Sequence, residues 1–190
     1  MERCPQVGIV GNCRVRGRAS DATVTDSTVG EWGDATATFS ADRTHRYLLT
    51  RTWDRNSPTV NFLMLNPSTA DAFVLDPTNR RCMGFARDWG YGCVTVTNIF
   101  GFRSTDPKDL RVADDPVGPD NDAAILDAAG AAQLVIAAWG VHGELLGRAE
   151  RVRSMLTEAG VKLHALRLTK DGHPGHPLYV PASTKPTCWA

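Results

Sequence analysis

The sequence predicts an α/β domain in which a central, mainly parallel sheet is covered by helices on both faces. Nearly continuous apolar runs alternate with segments of helical periodicity, and such runs are typical of strands buried on both faces. A length of 190 residues suits one domain. The predicted strands cover residues 60–65, 94–98, 134–138 and 162–168. This order of elements predicts a three-layer α/β/α fold around a four-stranded sheet.

Three helices are predicted between these strands. The sequence predicts a helix over 78–89 with Thr78 as its N-cap, since apolar side chains recur there every three to four residues. A second helix is predicted over 121–129. A third covers 143–159 and ends before Gly160, a residue type that commonly follows the last helical turn.

The first 53 residues lack the alternation of strand and helix patterns that marks the rest of the chain. Residues 1–20 show little periodicity apart from a possible short strand at 7–10, whereas residues 21–53 have strand composition punctuated by Gly30 and Gly33. We therefore predict an N-terminal extension with a β-hairpin over 1–53, which leads onto an antiparallel edge strand, and an α/β domain over 54–190.

Composition narrows the class of protein. The formal net charge is zero, which argues against a protein that holds nucleic acid by bulk charge alone. No apolar run approaches the length of a membrane span, and no apolar segment follows the first basic residues, so we expect a cytoplasmic protein. We also expect a monomer. The five cysteines include no Cys-x-x-Cys pair, which predicts reduced thiols, and their spacings match no zinc pattern, so we expect no metal. No other cofactor is expected.

Polar and aromatic side chains follow the predicted strands at their carboxyl ends. Because the carboxyl ends of parallel strands meet at one edge of a sheet, we expect these segments to form the ligand site. The segments are Asn66-Pro67-Ser68, Asn98 with Phe100, Trp139-Gly140 and His176-Pro177 with Tyr179.

Each motif also has a purely structural interpretation. Asn66 either presents its amide to a ligand or bonds its own turn, and Asn98 either reads a ligand or ends a strand. Trp139 suits a core position better than a stacking position. A histidine in the loop at His176 can stabilise a developing anion. One of Arg80 and Arg81 is expected to hold a phosphate, and the other to lie on a solvated helix face.

The four segments resemble the motifs of the uracil-DNA glycosylase superfamily. In that superfamily an apolar strand ends in a Gly-x-Asp/Asn-Pro turn, a second ends in a base-reading Asn, a third ends in Leu-x-Trp-Gly, and a late loop reads His-Pro-Ser-Pro-Leu. The matching stretches here are Leu65-Asn66-Pro67-Ser68, Val96-Thr97-Asn98-Ile99, Ala137-Ala138-Trp139-Gly140 and His176-Pro177-Leu178-Tyr179. The chain is also similar to a bacterial family that carries these segments and has no established function.

The chain departs from the superfamily pattern at two of the four segments. The first has no glycine before Asn66, where Met64-Leu65 stands, and Leu178-Tyr179 replaces Ser-Pro in the last. The superfamily's iron–sulfur cysteines are not reproduced. These departures favour an unusual base, such as a modified base of phage DNA.

The resemblance implies an enzyme that hydrolyses the N-glycosidic bond of a damaged or modified base after flipping it out of DNA. Asn66 would position the water, Asn98 would read the base, and His176 would stabilise the departing base. Arg80 or Arg81 would contact phosphates, and Tyr179 would serve as a wedge. Two alternatives stay open, namely an N-glycosidase of free nucleosides or nucleotides and a non-catalytic nucleic-acid or nucleotide binder.

Overall fold

A computed structural model describes residues 23–30, 33–68 and 73–190. Within these ranges the protein is an α/β protein with one mixed sheet of eight strands and three α-helices. The strands are β1 (Val24–Gly30), β2 (Gly33–Phe39), β3 (Arg46–Thr52), β4 (Thr59–Met64), β5 (Cys93–Asn98), β6 (Leu134–Ala137), β7 (Leu163–Ala165) and β8 (Thr187–Cys188). The helices are α1 (Pro77–Asp88), α2 (Asn121–Ala131) and α3 (Arg148–Glu158). Short 3-10 turns cover Pro107–Arg111, Val141–Gly147 and Pro177–Tyr179.

The sheet has the strand order β1-β2-β3-β5-β4-β6-β7-β8. The four strands from β5 to β7 run parallel, whereas β1, β2 and β3 form an antiparallel meander that joins β5 through β3. The chain leaves β4 toward β5 on one side and then returns to β6 on the other side. Such a reversal opens a crevice outside the carboxyl ends of the strands, where ligands bind in open α/β sheets.

Two buried clusters lie on the two faces of the sheet. The first joins α1 to β3, β4 and β5 through Phe85, Leu49 and Phe62. The second joins α2 and α3 to the sheet through Ile125 and Leu156. The alternation of strand residues between the two clusters explains why the parallel strands read as continuous apolar runs in the sequence.

The sheet differs from the prediction in size and in the place of β3. It has eight strands rather than four, because both the meander and β8 join it. The strand predicted at an edge is an interior strand, since β3 pairs with β2 on one side and β5 on the other. The short strand suggested at 7–10 lies outside the described residues.

Two helix boundaries also needed correction. Helix α1 is capped by Asp76 rather than Thr78, because Pro77 occupies the first helical position and the Asp76 carboxylate accepts the backbone N–H of Asn79. The helix predicted over 143–159 is broken, since Leu145 is extended and Leu146 has a φ of 56°. Along the described ranges, no helix is long and apolar enough to cross a membrane.

Candidate functional site

The carboxyl ends of the parallel strands are joined to one another by backbone hydrogen bonds. The N–H of Ala138 donates to the carbonyl of Leu63 at 2.8 Å, and that of Ile99 donates to Met64 at 2.9 Å. The N–H of Gly140 donates to the carbonyl of Pro174 at 2.8 Å. The segments that follow β4, β5, β6 and β7 are therefore brought to the same edge of the sheet, as the sequence predicted.

The side chain of Asn66 is oriented by the loop that follows β5. Its Nδ2 donates to the carbonyl of Ser104 at 2.8 Å and to that of Pro67 at 3.3 Å. Among the described residues we find no partner for its Oδ1. Because both Nδ2 contacts are carbonyl oxygens, they fix the amide with Oδ1 as the atom that can accept a hydrogen bond from a water molecule.

The side chain of Asn98 is oriented in the opposite sense. It is 1% exposed, and its Oδ1 accepts a hydrogen bond of 3.2 Å from the guanidinium of Arg46. Its backbone carbonyl accepts from Nδ2 of Asn121 at 2.9 Å. This contact turns Oδ1 toward Arg46, so Nδ2 is the end of the Asn98 amide that faces away from the guanidinium and can donate to a ligand.

The imidazole of His176 is held as a neutral hydrogen-bond donor. Its Nδ1 accepts from the backbone N–H of Leu178 at 3.3 Å, which leaves the proton on Nε2. Burial lowers the pKa of His176, an effect that the negative charge of Asp76 opposes in part. The ring also lies 5.7 Å from that of Tyr179, whose side chain is 77% exposed.

Asp76 links the first motif to the histidine loop. Its carboxylate caps α1 through the N–H of Asn79 at 2.6 Å and accepts from the hydroxyl of Ser68 at 3.3 Å. The same carboxylate is close enough to His176 for its charge to act on the imidazole. Ser68, Asp76 and His176 therefore form one polar neighbourhood at the N-terminus of α1.

Four further residues predicted for the site are buried. The prediction that Phe100 stacks on a base is wrong, because Phe100 is fully buried in the second core cluster and has no exposed face. Trp139 is also buried and packs edge-on against Trp189 with ring centroids 5.5 Å apart. Pro67 and Pro177 are buried as well, and these two residues shape the backbone of their loops.

The two arginines of α1 are distinguished by their contacts. Arg81 donates to the carbonyl of Val180 and lies over the ring of Phe85 at 4.9 Å, so it ties the helix to the loop after the last 3-10 turn. Arg80 is exposed and lines a groove of about 550 Å³ between α1 and that loop. The groove also contacts Leu178 and adjoins the site. Arg80 is accordingly the arginine that is available to a phosphate.

Sequence reasoning missed the groups that orient the amides. Arg46, Ser104 and Asn121 each act through a contact with a strand or loop that is distant in the chain. The one available signal was the charged side chain of Arg46 immediately before three apolar or aromatic residues, 47–49. Within the described ranges, no three His, Cys, Asp or Glu side chains are grouped to hold a metal ion.

The fold and these contacts define a mixed α/β protein with a polar candidate ligand site at the carboxyl ends of its parallel strands. The chain belongs to the family described as protein of unknown function (DUF1643), whose model matches residues 46–178. That match begins at the first residue of β3. No curated protein and no solved structure matches the chain, so the resemblance to uracil-DNA glycosylases rests on the motifs.

Proposed function

We propose that this protein is a DNA base glycosylase of the uracil-DNA glycosylase type that acts on a damaged or modified base. The proposal is carried by the complementary hydrogen-bonding capacities of three side chains at one edge of the sheet. Asn66 offers an acceptor, whereas Asn98 and His176 offer donors. Hydrolysis of an N-glycosidic bond needs this combination, namely an acceptor for the attacking water and donors for the departing base.

The reaction assigns one task to each of these side chains. The bond from the sugar C1′ to the base nitrogen breaks, and the electron pair leaves with the base. The oxygen of a water molecule held by Oδ1 of Asn66 then bonds to C1′, and its proton ends on the departing base or in solvent. Nε2–H of His176 and Nδ2–H of Asn98 stabilise the negative charge that builds up on the base, which is electrostatic stabilisation by fixed donors.

The arrangement of helices and the exposed groups beside the site support this assignment. Helices pack on both faces of the parallel strands, as expected for a three-layer fold of this type. Arg80 supplies a cation for a phosphate, and the exposed ring of Tyr179 can fill the gap that a flipped base leaves in the stack.

A panel of labelled oligonucleotides tests the proposed function. Single- and double-stranded DNA would carry uracil, hypoxanthine, alkylated bases or glucosylated hydroxymethyl bases, and the readouts are released base and strand cleavage at abasic sites. We expect release from one class of base by the wild-type protein and none by Asn66→Ala. If every DNA substrate stays intact, the DNA glycosylase proposal fails.

The net charge of zero favours a second candidate, an N-glycosidase of free nucleosides or nucleotides. Free nucleosides and nucleotides are therefore included in the same panel. Release from these compounds, with DNA untouched, would select this candidate. Binding of bases or DNA without any release would indicate a non-catalytic binder.

The lowered pKa of His176 predicts how its contribution to stability depends on pH. In the unfolded chain a histidine titrates near its ordinary pKa of about 6.5. Because the folded pKa is lower, the unfolded chain binds more protons between the two pKa values. The stability contributed by the neutral imidazole is thus complete above pH 6.5 and is lost as the pH falls through the folded pKa.

Urea unfolding between pH 7.5 and pH 5 measures this effect. We expect the wild-type protein to lose more stability over this range than His176→Gln, which has no titrating ring. His142→Gln serves as the control, since His142 is an exposed histidine in a 3-10 turn. An identical pH profile for the wild type and His176→Gln would show that the histidine is not buried in the neutral form.

A further inference from the structure

Arg46 and Asn98 form a buried polar pair beneath the carboxyl end of β5. Arg46 is 3% exposed, and its guanidinium donates to Oδ1 of Asn98 at 3.2 Å. Both partners are held in place, because the N–H of Arg46 donates to the carbonyl of Gly101 at 2.9 Å and the carbonyl of Asn98 accepts from Asn121. The pair therefore has a fixed geometry that joins the antiparallel part of the sheet to the candidate site.

The charge of Arg46 affects the amide of Asn98 in two ways. A guanidinium has only N–H donors, so Oδ1 must face it, and Nδ2 is the end of the amide that is turned away from Arg46. A positive charge on the oxygen side of the amide also draws electrons away from Nδ2. In a buried environment this polarisation strengthens the N–H groups of Nδ2 as donors.

From this geometry, and resting on the proposed function, we propose that Arg46 is a positioning residue that makes Asn98 a donor toward the departing base. The base therefore presents an acceptor at this position, either a carbonyl oxygen or a ring nitrogen. As the glycosidic bond breaks, the negative charge on this acceptor grows, and the hydrogen bond from Asn98 strengthens with it. Arg46 stabilises the anionic base through Asn98 without touching it.

A double-mutant cycle tests this coupling. Arg46→Met keeps the length of the side chain and removes the charge, Arg46→Lys keeps the charge, and Asn98→Ala removes the amide. Arg51→Met is the matched control, because Arg51 is another buried arginine of β3 and donates to the carbonyl of Val74 at 3.0 Å. The substrate is the oligonucleotide from which the wild-type protein releases base.

We expect Arg46→Met to lower kcat/KM by about 10- to 100-fold, the range for losing a hydrogen bond to a charged group. The loss should be in kcat, and Arg46→Lys should recover part of it. In the Asn98→Ala background, Arg46→Met should change the rate by less than about threefold, because the coupled partner is gone. Equal losses in both backgrounds, or an equal loss in Arg51→Met, would overturn the proposal.

The acidity of the departing base provides a further test. A residue that only maintains the fold would slow the release of all bases by the same factor. A ring substituent such as fluorine makes the departing nitrogen more acidic, so less negative charge needs stabilisation. We expect the ratio of wild-type to Arg46→Met rates to shrink with such a base. A constant ratio across leaving groups would contradict the role assigned to Arg46.

Binding of the free base separates this inference from the proposed function. Calorimetric titration with the free bases of the panel applies even where the wild-type protein releases nothing. Binding that is weakened by both Arg46→Met and Asn98→Ala, without release, would support the pair and refute the enzyme. If the protein releases base normally but Arg46 and Asn98 show no coupling, the enzyme is supported and the inference is refuted. If the protein shows no release and no binding, both are refuted.

Discussion

Asn66→Ala is expected to slow base release by on the order of 100-fold or more while leaving DNA binding largely intact. The Oδ1 of Asn66 is held as an acceptor by the bonds from Nδ2 to Ser104 and Pro67. Alanine removes the group that places the water, and misplacing a reactant by about 1 Å can cost about 100-fold in rate. Single-turnover base release measures the chemical step, and fluorescence anisotropy measures DNA binding.

The control for this variant is Asn56→Ala, which removes an exposed asparagine from the turn before β4. We expect its base release to equal that of the wild-type protein. Asn66→Ala also loses the bond to Ser104, so its free energy of unfolding should fall by about 1 kcal/mol. Base release by Asn66→Ala at the wild-type rate would remove Asn66 from the mechanism.

Arg148→Ala is expected to have the largest effect on stability, a loss of about 3 kcal/mol in the free energy of unfolding. Arg148 is 3% exposed, its Nε donates to the carbonyl of Ile99 at 2.6 Å, and its guanidinium pairs with Asp122. Breaking a buried ion pair costs about 3–5 kcal/mol. The lower end applies here because a third of the Asp122 side chain is exposed.

Arg151 provides the matched comparison, since it reaches the same carboxylate at 3.6 Å with a side chain that is 74% exposed. Exposed ion pairs contribute about 0–1 kcal/mol, so Arg151→Ala should stay within that range. Urea unfolding measures both variants, and an unchanged m value would show that the denatured state is the same. Equal losses for the two arginines would contradict the account given for Arg148.

The strands and the strand ends were predictable because their signals are local. A strand buried on both faces reads as a largely apolar run, and its end is visible where Asn66, Asn98 or Gly140 follows that run. The convergence of these ends follows from parallel pairing alone. This part of the candidate site therefore needed no knowledge of which strands are neighbours.

The parts that could not be predicted depend on contacts between distant residues. The pairing of Leu49 with Val96 crosses from the meander to β5, and nothing near either residue encodes it. The apolar spacing continues through Leu145 and Leu146, so only the backbone angles show that the helix begins later. The orientation of Asn98 depends on Arg46, which lies more than 50 residues earlier in the chain.

The position of β3 between β2 and β5 also constrains the order of assembly during synthesis. One side of β3 has no partner until the ribosome has added the 40 residues from Trp53 to Gly92 and then β5 itself. At about 5–20 residues per second, this interval lasts about 2–8 s. An unpaired strand edge invites pairing with other chains. The free edge of β3 is therefore exposed to pairing with other chains throughout this interval.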